Sequence, residues 1–417
     1  MRDDKKIRAR SEAATSRLPG FQDLSCDERL RRVARMFALT PGEVRSLRGD
    51  VALEAETVDR MIENAIGTFR LPFGLGLNLV VNGRDYVVPM AVEEPSVVAA
   101  LSLASKIVRE AGGFTADADP PTMIGQIQVT RYGDPAAATE RILAGKATIL
   151  ARADAMHPGL VRRGGGATDL IVRTLPAPEG AHGEPVLVVH LLIDTQEAMG
   201  ANIVNTAVEG VAPLIEELTG GVVYLRILSN LADRRLARAS CRIPVSALAD
   251  FGWSGERIAE GIVQASRFAS VDAYRAATHN KGIMNGIDAV AIATGQDWRA
   301  LEAGAHAFAC RDGRYQPLST WALAGGDLIG RIALPIALGT VGGPIRVHPG
   351  VHAALKLLRV GSARELATVF ASVGLAQNFA AIRALGSVGI QKGHMALHAR
   401  CVAPATSAQR RKIRRVR

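Results

Sequence analysis

Between Gly282 and Gly295 the chain reads GIMNGIDAVAIATG, a run apolar enough that a folded protein has to bury it. Polar and ionisable groups crowd the same segment: His279, Asn280 and Lys281 at its start, Asn285 and Asp288 within it, and Asp297 just past its end. A lysine and an aspartate at the two ends of a buried segment are expected to be poorly solvated and therefore paired. Such a pair is either a structural salt bridge or an electrostatic device for chemistry. Two further polar islands, Glu93-Glu94-Pro95-Ser96 and Gly393 through His398 around His394, point toward an enzyme.

A chain of 417 residues is too long for one hydrophobic core, so two or three domains are expected. Its 42 glycines exceed the usual share of roughly 7%. They cluster at Gly164-Gly165-Gly166, Gly325-Gly326 and Gly342-Gly343, which suggests tight turns and close backbone approach to ligands. The net charge of +10 is concentrated at one end, with Arg410, Arg411, Lys412, Arg414, Arg415 and Arg417 in the last eight residues. The body without them carries about +4. No nucleic-acid motif or aromatic interleaving accompanies the tail, so a solvated end is expected and nucleic-acid binding is not.

The four cysteines are scattered, with no CxxC or Cys/His cluster, which argues for a reducing compartment and against a zinc site. The N-terminus has no apolar h-region, and the longest apolar runs are broken before 18 residues. A cytoplasmic protein without a membrane span is the expectation.

Ser25 and Glu28 form a capping box ahead of an amphipathic helix, and residues 56–66 read as a second helix. Strands over 71–79 and 86–92 meet at the turn signal Asn82-Gly83. A short-side-chain helix follows over 96–108, placing Glu93 and Glu94 at a strand-to-helix junction. Residues 112–121 read as linker. Beyond them come a strand over 123–129, one helix over 135–152, strands over 168–173 and 185–194, a helix over 199–219 and a strand over 222–228. This pattern suggests a small α/β sandwich inserted into a helix-rich body, and it contains no GxGxxG. Helices are expected again over 255–289, 297–309 and 351–359.

Within the inserted unit, Glu197-Ala198-Met199-Gly200-Ala201-Asn202 starts a helix directly after a strand. Small residues there leave the free N–H groups of the first turn open to phosphate, with Asn202 and Asn205 as added donors, although they serve close packing equally well. Arg162 and Arg163 before the glycine triplet offer a facing loop. His279 is expected to be positional rather than catalytic.

These segments, together with residues 63–69, Val92 through Ser96, Asp272 through Trp298 and Gly393 through Arg400, resemble a class II (bacterial-type) 3-hydroxy-3-methylglutaryl-CoA reductase over nearly the whole chain. The resemblance implies an α+β fold. A large CoA-substrate and dimerisation domain would comprise residues 1–119 and 230–385, and an inserted non-Rossmann nicotinamide domain residues 120–229. A C-terminal flap with a basic tail would span 386–417.

It further implies Glu94, Lys281, Asp297 and His394 as catalytic residues, with His394 protonating the departing thiolate. Ser96, Arg275, Asn285 and Gln377 would line the acyl pocket, and Glu197, Met199, Gly200, Asn202 and Asn205 would hold the cofactor. The implied reaction interconverts HMG-CoA with mevalonate and CoA, consumes two nicotinamides through a mevaldehyde/hemithioacetal intermediate, and needs no metal. The implied assembly is a homodimer, or a higher oligomer built from dimers, with a shared active site.

NADH is favoured because the pattern is closest to the NADH-using branch; Arg162 and Arg163, beside Asp154 and His157, keep NADP open. Two departures stand out. The cofactor stretch begins with Glu197 where the family usually has aspartate, and the chain stops at Arg417 where the family continues, so the flap looks truncated. A catalytically impaired acyl-CoA binder is therefore the alternative.

Overall fold

The computed structural model describes residues 15–50, 53–177, 185–250, 252–389 and 391. His394, the rest of the flap region and the basic tail lie outside the described residues. Helix α1 (Cys26–Met36) starts on the expected capping box, with Glu28 accepting from the Ser25 N–H at 2.8 Å. Helix α2 (Pro41–Arg48) repeats the device with Thr40 and Glu43. Helix α3 (Ala55–Met61) is shorter than the expected 56–66 span. Ile62 is already extended, at φ −144° and ψ 149°, and Asn64 then takes a left-handed φ of 56°, so the helix does not continue and Ile66 and Phe69 are exposed.

Strands β1 (Phe73–Val81) and β2 (Arg84–Ala91) form the expected hairpin. Asn82 and Gly83 have φ of 50° and 78°, the paired positive values that a tight two-residue turn requires. Helix α4 (Pro95–Glu110) lies on β1 so closely that a Cβ at Gly76 would stand 2.5 Å from Leu101. The expected linker is partly structured. It carries β3 (Thr115–Ala118), an edge strand with alternating buried alanines.

Next come β4 (Thr122–Thr130), α5 (Pro135–Ala144), α6 (Lys146–Met156), the single turn α7 (Pro158–Val161) and β5 (Gly166–Leu175). Strand β6 (Val186–Asp194), α8 (Ala201–Thr219) and β7 (Val222–Leu228) complete this region. The single helix expected over 135–152 breaks at Gly145, where a Cβ would meet Leu218 at 2.8 Å. The strands run β5-β6-β4-β7, every pair antiparallel. One face packs Ile127, Leu187, Val189 and Leu191 against Val204, Val208 and Ile215 of α8, a core of its own. The alternation along each strand sends the remaining side chains to the opposite face.

The chain continues with β8 (Leu236–Pro244), α9 (Gly255–Val271), α10 (Ala273–Ala293), α11 (Trp298–Ala309), β9 (Ser319–Ala324) and β10 (Asp327–Pro335). Helices α12 (Pro349–Leu358) and α13 (Ala363–Leu385) follow. The helical span expected over 255–289 is therefore two helices, with Asp272 ending one and capping the next. A second antiparallel sheet, β3-β8-β10-β9, went unforeseen. So did α13, whose sequence is apolar on nearly all sides and carries little periodicity to read.

Among the described residues α13 is long and apolar enough to cross a membrane, yet most of it is buried inside the protein. It crosses α10 at glycines: a Cβ at Gly374 would sit 3.0 Å from both Ile283 and Ile287. The fold is α+β, a helix-rich region with small antiparallel sheets.

Candidate active site

Glu94 is the N-cap of α4, with Pro95 in the first turn. Its carboxylate accepts from the Ser96 hydroxyl at 2.8 Å, so these two expected site residues are joined at the strand-to-helix junction. Ser96 is buried.

Helix α10 carries Arg275, Lys281 and Asn285. Asp272 caps it, accepting from the Arg275 N–H at 2.7 Å. The Arg275 guanidinium is half-buried and makes no ion pair or hydrogen bond among the described residues; burial lowers its proton affinity. Asn285 is half-buried and lies next to Gly286, whose Cβ position is 3.1 Å from Gln377 on α13. Gln377 is 5% exposed, and its Oε1 is buried without a hydrogen-bond partner. An unsatisfied buried acceptor of this kind is costly unless a ligand supplies a donor.

The expected Lys281–Asp297 pair does not form within one chain. Lys281 is exposed and makes no ion pair among the described residues. Asp297 instead caps α11, accepting from Ala300 N–H at 3.1 Å, and pairs with Arg299 at 3.5 Å. A helix rises 1.5 Å per residue, so Lys281 lies about 18 Å along α10 from the end nearest Asp297. The buried acid of this helix is Asp288, whose carboxyl is raised to about 8 by burial and by Glu302 of α11 beside it.

His279 is positional, as expected. It is 1% exposed and its Nε2 lies 2.7 Å from Ser319 Oγ. Burial, with Arg275 nearby, lowers its pKa to about 4. Asn280 has the same kind of role, donating to the Gln316 carbonyl and accepting from the Leu318 N–H, both at 2.9 Å.

The glycine triplet and the segment leading into α8 lie against each other. A Cβ at Gly165 would lie 2.7 Å from the Asp194 carbonyl and 2.8 Å from Gln196, so only glycine lets these loops close. Gly200, at φ 103°, is the N-cap of α8 and supplies no side-chain cap, leaving first-turn N–H groups open beside exposed Asn202. Asn205 is committed elsewhere, its Oδ1 accepting from Leu228 N–H at 2.9 Å. Glu197 also turns away from this helix start. Its Oε2 accepts from Thr340 Oγ1 and from the Ala363 N–H at the start of α13, both at 2.7 Å.

Met199 is held through its carbonyl by Arg235, a residue that the sequence reading missed. Arg235 is 4% exposed and donates to Thr195 Oγ1 and the Met199 carbonyl at 3.2 Å, and to the Ala198 carbonyl at 3.3 Å. Its other arm reaches the Leu338 carbonyl at 2.5 Å. Burial lowers its pKa to about 10, so it stays charged at neutral pH. Nothing local distinguishes Arg235 in sequence from its neighbour Arg234.

Small antiparallel sheets, a glycine-lined loop against the segment that leads into a bare helix start, and an N-cap acid joined to Ser96 define a particular architecture. The sequence profile of hydroxymethylglutaryl-coenzyme A reductases matches residues 25–399. The chain belongs to this family. It is 50% identical over 405 residues to 3-hydroxy-3-methylglutaryl-coenzyme A reductase of Archaeoglobus fulgidus, covering 97% of this chain and 90% of that protein. A probable enzyme of the same name from Borreliella burgdorferi is 36% identical, with 81% of this chain and 76% of that one covered.

The fold superposes with a TM-score of 0.84 on the class II enzyme of Streptococcus pneumoniae, solved bound to NADPH in open conformations. That pair is 48% identical and covers 88% of this chain and 99% of the other. The structural neighbours of this family member are thus class II enzymes.

Proposed function

We propose that this protein interconverts HMG-CoA with mevalonate and CoA, using two nicotinamide cofactors per turnover by way of mevaldehyde. The observation that carries the reading is the set of groups on α10 and α13: Arg275 and Lys281, which have no ion pair among the described residues, and the buried acceptor of Gln377 near Asn285, which has no donor among them. These are groups suited to a carboxylate and a carbonyl oxygen. In this proposal residues 120–229 form the inserted cofactor domain within a substrate domain made of 1–119 and 230–385.

The residues around Gly165 and Gly200 fit a nicotinamide dinucleotide, because a bare helix start faces a loop with no side-chain bulk. When bound, that cofactor supplies the hydride. Lys281 stabilises the oxygen that becomes negative as the thioester carbonyl is reduced. His394 protonates the CoA sulfur as the hemithioacetal collapses, and Glu94 relays a proton to the aldehyde oxygen in the second reduction. Asp297 completes this catalytic cluster with Lys281 and Glu94.

Because Lys281 and Asp297 are separated along one chain, these roles require a homodimer in which a second copy brings one of them to the other. Incubation with HMG-CoA and reduced cofactor should release one mevalonate and one CoA for every two cofactors oxidised. No turnover with either cofactor, in either direction, would reduce the protein to an acyl-CoA binder.

NADH is the proposed cofactor. Asp154 Oδ1 accepts from Ala167 N–H at 2.7 Å, which fixes the carboxylate beside the glycine turn and leaves Oδ2 to receive a ribose hydroxyl and repel a 2′-phosphate. His157 is occupied by the Ile203 carbonyl at 2.9 Å, while Arg162 and Arg163 are exposed. kcat/KM should favour NADH. A tenfold advantage for NADPH, about 1.4 kcal/mol, would overturn the assignment.

A further inference from the structure

Asp288 and Glu302 are neighbours where α10 and α11 pack together, close enough for their carboxyl groups to hydrogen-bond to each other. Two carboxyl groups can bond in this way only if one carries a proton. The chain of contacts continues outward: Glu302 Oε2 is 2.6 Å from His306 Nε2, and His306 Nδ1 is 2.7 Å from the Tyr315 hydroxyl. A neutral imidazole satisfies both neighbours, donating to Glu302 and accepting from Tyr315. On this arrangement a single proton on Asp288 completes the chain. Asp288 Oδ1 is buried without a partner, which is tolerable on a neutral acid and costly on a carboxylate.

We propose that Asp288 and Glu302 share one proton as an alkali-sensitive clamp, which holds the helix that begins at Asp297 against the helix that carries Lys281 and Asn285. The catalytic part of this assignment rests on the function proposed above; the shared proton does not. Asp288 is a positioning residue here. Residues 281, 285 and 288 fall on one stripe of α10, and Glu302 lies five residues past Asp297 on α11. Losing the proton places two negative charges face to face and drives the helices apart.

Glu302 is the one charged neighbour whose field reaches Asp288 among the described residues, and it raises the carboxyl further after burial has done so. Charged groups on the other elements packed against α10 are engaged or turned to solvent. Glu365 of α13 binds Arg84 and Tyr86, and Arg383 of α13 binds Asp250. Asp85 of β2 binds Arg109 of α4, Lys356 of α12 binds Glu43, and Arg267 of α9 and Lys106 of α4 are exposed.

A carboxyl with a raised folded pKa stabilises the fold less as pH climbs from its unfolded value, about 4, through its folded value. The intact protein should therefore lose Tm from about pH 4 to about pH 9, levelling off once Asp288 has ionised in the folded state, and kcat should fall along an alkaline limb centred near 8. Asp288→Asn keeps the shape and can donate to Glu302, so it should flatten the Tm profile and move the kcat limb up by at least about one pH unit. Its kcat near neutrality should stay within about threefold of wild type. Glu302→Gln should flatten both profiles as well, and the double variant should add nothing to either single one.

Infrared spectra at neutral pH should show the C=O stretch of a protonated carboxylic acid that Asp288→Asn removes. Variants that keep the wild-type alkaline slopes, or the absence of that band in the wild type, would overturn the clamp. A wild type without reductase activity but with the band and the Tm slope intact would count against the proposed function and not against the shared proton.

Discussion

Lys281→Ala is expected to lower kcat by about a thousandfold, the scale of losing a fixed charge that meets a developing oxyanion. KM for HMG-CoA should change only a few-fold, since the interaction strengthens in the transition state. Lys281 is exposed and makes no ion pair among the described residues, so its removal should leave Tm nearly unchanged. Had it formed the buried salt bridge that its sequence context suggests, activity and Tm would fall together.

The separation of Lys281 from Asp297 adds a second readout. Lys281→Ala and Asp297→Asn should each be inactive, yet mixing and reassociating the two should restore about a quarter of wild-type activity. Half of the reassociated dimers would be mixed, each with one intact site. No recovery on mixing would show that both residues serve the same site from one chain.

Arg235→Ala is expected to be the most destabilising single change in the cofactor region. It would strip donors from Thr195 Oγ1 and from the Ala198, Met199 and Leu338 carbonyls inside a nearly closed site. Leaving several buried acceptors unmet costs about 4 kcal/mol, or a drop of roughly 10 °C in Tm for a domain of this size. Arg235→Lys retains the charge but cannot fork between Thr195 and Leu338. It should fold, and KM for the nicotinamide cofactor should rise about tenfold with kcat less affected. An unaltered cofactor KM in Arg235→Lys would make this arginine a brace of the fold with no influence on the cleft.

Elements with strong local chemistry were legible from sequence. The Ser25/Glu28 box, the Asn82-Gly83 turn, the cap at Glu94 and the start of α8 each depend on residues within four positions of one another. The strand at 222–228 was readable for the same reason. Helix α13 and the sheet β3-β8-β10-β9 were not. An all-round apolar helix has no periodicity to announce it, and in that sheet β8 pairs with β3 and β10, which lie far from it in sequence.

By itself, the amino-acid sequence determined the chemistry at hand: which acids, cations and glycines exist, and which local turns and caps present them. It also required the 282–295 segment to be buried. Which ionisable group would share that burial was decided by tertiary structure. Helical geometry carried Lys281 out to solvent and away from Asp297, while the return of α11 along α10 set Glu302 against Asp288. The electrostatics of a buried acid depend on what the fold packs beside it, and only the packed structure contains that neighbour.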